Sequence, residues 1–71
     1  MENQILKISL AAARVNADMT QKEVAETLHI DKATLIKWEK GRVSPRASQL
    51  LSLARLYGIS MDNIRLPEMA T

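Results

Sequence analysis

The sequence predicts an all-α fold, a compact bundle of about five short helices. Three observations carry this. Hydrophobic residues make up 46% of the 71-residue chain but aromatics only 3%, and there are just two glycines and two prolines, a composition that suits packed helices. Thr20 followed by Glu23 forms a capping box, a local signal for a helix start. Further start and stop residues (Asp31, Gly41, Ser44-Pro45, Gly58, Ser60) cut the rest of the chain into short helical lengths.

The elements follow in order. Met1 to Gln4 is read as a loose or fraying start. Ile5, Leu6, Ile8, Leu10, Ala13 and Val15 read as a first helix of about three turns, supported by the helix propensity of its alanines. Asn16 to Met19 is a loop. In the second helix Val24, Ala25 and Leu28 share one face, while Gln21, Lys22, Glu23 and Glu26 face water. Only His29 and Ile30 separate it from Asp31, a second cap with Thr34 three places on. Leu35 and Trp38 then form the apolar stripe of a third helix that Gly41 ends. Two helices joined by a turn of roughly 3–4 residues cross steeply and cannot stack antiparallel. After a loop from Arg42, Ser44-Pro45 reads as an N-cap and first helical position. Leu50, Leu53, Ala54 and Tyr57 give the stripe of a fourth helix, widened by Leu51 and Leu56. Gly58 ends it with Ile59 folding back, and Ser60 caps a short fifth helix with Met61 and Ile64 that stops by Arg65 or Leu66. Residues 1–66 therefore form one domain, with the steep helix pair at 20–41, and 67–71 a flexible tail.

Composition also excludes. No cysteine is present, so disulfides and thiolate metal sites are ruled out, and one histidine leaves no zinc site. No signal pattern or apolar run of about 20 residues occurs, so a cytosolic, bacterial cytoplasm or nucleoid location with no membrane partner is expected. No nucleophile–base set, glycine-rich phosphate loop or paired carboxylates at active-site spacing can be assembled, so neither enzymatic activity nor a cofactor is expected. The net charge is a modest +2, but its distribution is informative. Lys32, Lys37, Lys40, Arg42 and Arg46 face a single acid, Glu39, so positive charge gathers around the third helix and the loop after it.

Thr20-Gln21, Glu23-Val24-Ala25, Ile30, Leu35 and Trp38-Glu39-Lys40-Gly41 together resemble the helix-turn-helix of the phage Cro and repressor family, a lambda-repressor-like DNA-binding domain. The resemblance extends upstream to Arg14 and downstream through Leu50, Leu53, Ala54, Gly58-Ile59-Ser60 and Ile64, covering about Ile5 to Ile64. Family members often carry glycine near the positions of Asp18 and His29, where the chain turns left-handed; Asp and His are among the residues that tolerate positive φ. The resemblance implies sequence-specific binding to a double-stranded DNA operator, with the third helix in the major groove. It assigns base contact to Lys32, Ala33 and Lys37, and a phosphate to the N–H groups of Thr20 and Gln21 with help from the Gln21 side chain. It also implies a largely buried, bidentate ion pair between Arg14 and Glu39.

The residues themselves fit those roles. On a helix starting at Asp31, positions 32, 33, 36, 37 and 40 lie opposite Leu35 and Trp38, which exposes Lys32, Ala33, Ile36, Lys37 and Lys40. Lysines donate to guanine O6/N7 or to phosphate, and Ala33 meets a thymine methyl; Thr34 joins the base-reading set. Ile36 suits a thymine methyl or a protein surface. Lys40, Arg42, Ser44 and Arg46 are the candidate phosphate clamp of the following loop. The bland alternative is an ordinary solvated face. Trp38 reads as core, His29 as a turn residue, and Tyr57 as packed with its hydroxyl at the rim.

The expected partner is operator DNA, bound as a homodimer through Leu56 to Leu66 that forms on DNA. A rival reading is an anti-repressor or modulator that docks on a partner phage repressor protein, favoured by the low net charge, by Ala33 and Ile36, and by acidic Glu23, Glu26 and Asp31 near the same face. An antitoxin role is a third reading, without a toxin-binding tail to support it.

Overall fold

A computed structural model describes residues 7–67, in the order β1 (Ile8–Ser9), α1 (Leu10–Asn16), α2 (Gln21–Leu28), α3 (Lys32–Lys40), α4 (Ala47–Tyr57), a single 3₁₀ turn (Met61–Asn63) and β2 (Ile64–Arg65). The expected contributions of Ile5 and Leu6 to the first helix, the loose start at Met1 to Gln4 and the tail beyond Pro67 lie outside these residues.

Four helices form among the described residues, where about five were expected. The first helix begins at Leu10, because Ser9 caps it by accepting a hydrogen bond from the Ala12 N–H at 3.1 Å. Ile8 belongs instead to β1, which pairs in parallel with β2 in the register Ile8–Ile64 and Ser9–Arg65. The expected fifth helix is only the 3₁₀ turn, capped by Ser60, and Ile64 enters the core from a strand. The paired strands join the two ends of the described chain, and all four helices lie in the crossover between them.

Other starts match or shift. Thr20 caps α2 with the full capping box. Asp31 takes the N-cap position of α3 but makes no side-chain cap bond; its carbonyl accepts from Thr34 and Leu35. The fourth helix starts later than Ser44-Pro45 suggests: Arg46 is its N-cap, and Gln49 Oε1 accepts the Arg46 N–H at 2.8 Å. Pro45 is buried ahead of it.

All four helices stop by one device. Asp18, His29, Gly41 and Gly58 are left-handed at φ 57°, 56°, 76° and 72°. At each, the residue beyond donates back to a carbonyl five places earlier (Met19 to Arg14, Ile30 to Ala25, Arg42 to Lys37, Ile59 to Ala54), satisfying carbonyls the helix end leaves orphaned. Asp18 and His29 thus do the work of glycine, as their residue types allow.

The core consists of Leu10, Ala13, Val24, Leu35, Trp38, Leu53, Ala54, Tyr57 and Ile64, with Leu28, Ile30, Leu50, Leu56 and Ile59 packed against it. Val15 is 59% exposed and Leu51 37%, so Val15 stays outside the core and Leu51 does not widen the stripe of α4. In a helix of seven residues Val15 has turned past the face that carries Leu10 and Ala13.

A left-handed residue with a Cβ costs roughly 1–2 kcal/mol more than glycine, part of which glycine returns through its freer unfolded chain. Exposed His29→Gly is therefore expected to stabilise the domain by about 0.5–1 kcal/mol in urea denaturation. A loss of stability would show that the His29 side chain makes a compensating interaction.

Candidate nucleic-acid interface

The α2–α3 pair is positioned by a polar network centred on Glu39. Arg14 Nε donates to Glu39 Oε2 at 2.8 Å, and Arg14 Nη2 donates more weakly to Oε1 at 3.4 Å. The pair is bidentate, as expected, and the Arg14 and Glu39 side chains retain only 15% and 6% of their exposure. Two further links were not foreseen. Arg14 Nη1 donates to the Met19 carbonyl at 3.0 Å, and Gln21 Nε2 donates to Glu39 Oε1 at 3.0 Å. Arg14 and Glu39 together thus hold α1, the loop entering α2, the first residue of α2 and the second half of α3. No side-chain pattern marks Met19, since its backbone is the partner. Gln21 at the first helical position is consistent with solvation or ligand contact as well as with this tie.

The amino end of α2 corrects one expectation. The Thr20 N–H is not free: it donates to Glu23 Oε1 at 2.8 Å, while the Thr20 hydroxyl accepts from the Glu23 N–H at 3.0 Å. The Thr20 backbone N–H first, and then the Thr20 side chain, hold the Glu23 carboxyl below its ordinary range. The N–H groups left to the first turn are those of Gln21 and Lys22. Gln21 is half-buried rather than facing water, because its amide turns toward Glu39.

On α3, Leu35 and Trp38 are buried, at 0% and 3% exposure. Lys32, Ala33, Lys37 and Lys40 are exposed, whereas Thr34 and Ile36 are half-buried, so Ile36 is less open than its spacing suggests. Arg42, Ser44 and Arg46 are exposed in the segment that follows. Among the described residues none of the five bases from Lys32 to Arg46 forms an ion pair, and the one acid between them is engaged by Arg14. The interface therefore shows uncompensated positive charge. No group of three or more His, Cys, Asp or Glu side chains among the described residues could hold a metal, and no helix there is long and apolar enough to cross a membrane.

This arrangement has counterparts. The sequence model of the helix-turn-helix family matches residues 10–64, which run from the start of α1 to the first residue of β2. The chain belongs to the helix-turn-helix family. Within it, this domain is 39% identical over 51 residues to the cryptic phage CTXphi transcriptional repressor RstR of Vibrio cholerae, covering 72% of the chain and 46% of the relative. It is 42% identical over 53 residues to the HTH-type transcriptional regulator ImmR of Bacillus subtilis (strain 168), covering 75% and 42% respectively. It is also 27% identical over 63 residues to the uncharacterized HTH-type transcriptional regulator MJ0272 of Methanocaldococcus jannaschii, covering 89% and 96%. The chain thus spans less than half the length of the first two relatives. No solved structure gives a significant match.

Behind the interface, Tyr57 departs from expectation. Its hydroxyl is not at the rim but buried, with no hydrogen-bond partner among the described residues. Burial, and then the Glu39 charge, push its pKa up to about 12, against a smaller opposing effect of Arg14.

Two tests follow from these buried groups. Removing one partner of a buried pair strands the other, so Glu39→Ala is expected to cost about 3–5 kcal/mol. The double variant Arg14→Met/Glu39→Leu should cost clearly less than the sum of the single changes in a denaturation cycle; additive losses would show that the pair is not coupled. Between the ordinary tyrosine value and about 12 the folded state binds more protons than the unfolded state, so stability falls as pH rises through that window. Tyr57→Phe should remove that component of the alkaline loss and leave neutral-pH stability unchanged or higher. Destabilisation by Tyr57→Phe at neutral pH would reveal a bonded hydroxyl.

Proposed function

We propose that the chain is a sequence-specific double-stranded DNA-binding regulator of transcription of the Cro or repressor type, with α3 as the helix that enters the major groove. The observation that carries this is the outer side of α3, where exposed Lys32, Ala33, Lys37 and Lys40 stand opposite buried Leu35 and Trp38. Lys32 and Lys37 donate to guanine O6/N7, and Ala33 meets a thymine methyl. Thr34 and Ile36, half-buried, contribute at the edge of that surface. The Gln21 and Lys22 N–H groups at the positive end of α2, the Thr20 hydroxyl, the Gln21 amide, Lys40, Arg42, Ser44 and Arg46 take phosphates. The protein acts in the bacterial cytoplasm or nucleoid and pairs on DNA through the region from Leu56 to Leu66. The repressor sense draws support from the name of the Vibrio cholerae relative.

The anti-repressor reading draws on the low net charge, on apolar Ala33 and Ile36, and on acidic Glu23, Glu26 and Asp31, of which Glu23 is engaged by Thr20. Ile36 is half-buried, and among the described residues the large apolar side chains that are exposed, Val15, Val43 and Leu51, lie outside α3. The basic surface therefore favours DNA.

Base and phosphate roles predict different losses. Lys37→Ala is expected to weaken binding to the preferred duplex by about 10- to 100-fold while barely changing random DNA. Arg46→Ala should weaken both alike and flatten the dependence of log K on log salt by about one unit. Electrophoretic or fluorescence titration at two salt concentrations measures both. An unchanged specific affinity for the Lys37 variant would remove its base-reading role.

A further inference from the structure

Gln21 sits where grip and reading meet. It is the first residue of α2, and its Nε2 crosses to Glu39 Oε1 on α3 at 3.0 Å. The same carboxylate is held by Arg14, whose Nη1 reaches the Met19 carbonyl just ahead of α2. The amino end of α2 is therefore tied to α3 directly through Gln21 and indirectly through Met19 and Arg14. The other end of α2 joins α3 through the short turn at His29 to Asp31.

Helix α3 needs such ties. Of its nine residues only Leu35 and Trp38 are buried, and apolar contact is non-directional, so it fixes depth better than roll or tilt. A hydrogen bond to a carboxylate is directional and among the stronger kinds. Base reading demands correct placement of the side chains at Lys32, Ala33 and Lys37, whereas phosphate contact tolerates the sequence beneath it. We infer that Gln21 is a positioning residue for α3: through Glu39 it sets sequence discrimination, and not only grip on the phosphate backbone. This rests on the DNA-binding reading above.

The two roles separate experimentally. A ligand of phosphate alone, once removed, weakens every duplex equally. A strut on α3, once removed, weakens the preferred duplex more. Because the Gln21 amide is uncharged, its loss also leaves the salt dependence unaltered. The probes are a duplex selected from a randomised pool by the wild-type protein and a scrambled duplex of the same composition. Gln21→Met, of similar length but without a donor, is expected to lower the preference for the selected duplex by about 10-fold at constant salt slope. Gln21→Lys restores a donor toward Glu39, so it should recover the preference while steepening the salt slope by about one unit. In the free protein, the Gln21 side-chain amide protons should exchange with solvent more slowly than those of exposed Asn16. Equal loss on both duplexes for Gln21→Met, or equal exchange at Gln21 and Asn16, would overturn the inference. Failure of the wild-type protein to select any duplex is a different result, and would remove the DNA-binding reading itself.

Discussion

The Glu39 carboxylate, almost wholly withdrawn from water, is the constraint around which the domain is built. A buried charge is tolerated only when paired and hydrogen-bonded, and Glu39 meets that demand with N–H groups from Arg14 and Gln21. Those donors come from α1 and from the start of α2, and Arg14 reaches onward to the loop between them. Satisfying one carboxylate therefore fixes how three helices meet. A buried pair of this kind adds little net stability compared with well-packed apolar residues. Its consequence here is geometric, because the helix that carries Glu39 also carries Lys32, Ala33 and Lys37 on its outer side.

Around that centre, a short chain closes itself economically. Each helix ends in a left-handed residue that returns the chain toward the core, and the brief parallel pairing of β1 with β2 ties the first described element to the last. The engagement of Glu39 by Arg14 has an electrostatic result as well. The only acid between Lys32 and Arg46 is neutralised from the inside, so the basic residues of α3 and its following loop act outward without local compensation. Packing and surface potential come from the same contact.

Much of this was legible in the sequence, for identifiable reasons. The capping box at Thr20, the stops at Gly41 and Gly58, and the inward spacing of Leu35 and Trp38 are local signals, and they located α2, α3 and the end of α4. Asp18 and His29 were readable as left-handed through the family resemblance, which places glycine there, and their residue types tolerate it. The failures have a common origin in tertiary pairing. Ile8 and Ile64 look like parts of helices until they pair with each other across more than fifty residues. Ser9 is a cap hidden within an apolar run, and the Ser44-Pro45 signal was overridden by a start at Arg46, whose N–H is taken by Gln49 three places on although arginine itself offers no capping acceptor. In the interface, residue types gave the basic surface of α3. Its hidden half, the Gln21–Glu39 bond and the occupied Thr20 N–H, depends on how side chains choose among several available partners.

The proposed role of α3 is to read bases from the major groove. The most direct test is methylation interference on a duplex selected by the protein, since methylation of guanine N7 blocks a major-groove acceptor while methylation of adenine N3 lies in the minor groove. Interference is expected at guanine N7 within the site, with the effect at one guanine lost when Lys37 is replaced by alanine. Binding that is indifferent to guanine N7 methylation, or sensitive only to minor-groove methylation, would contradict it.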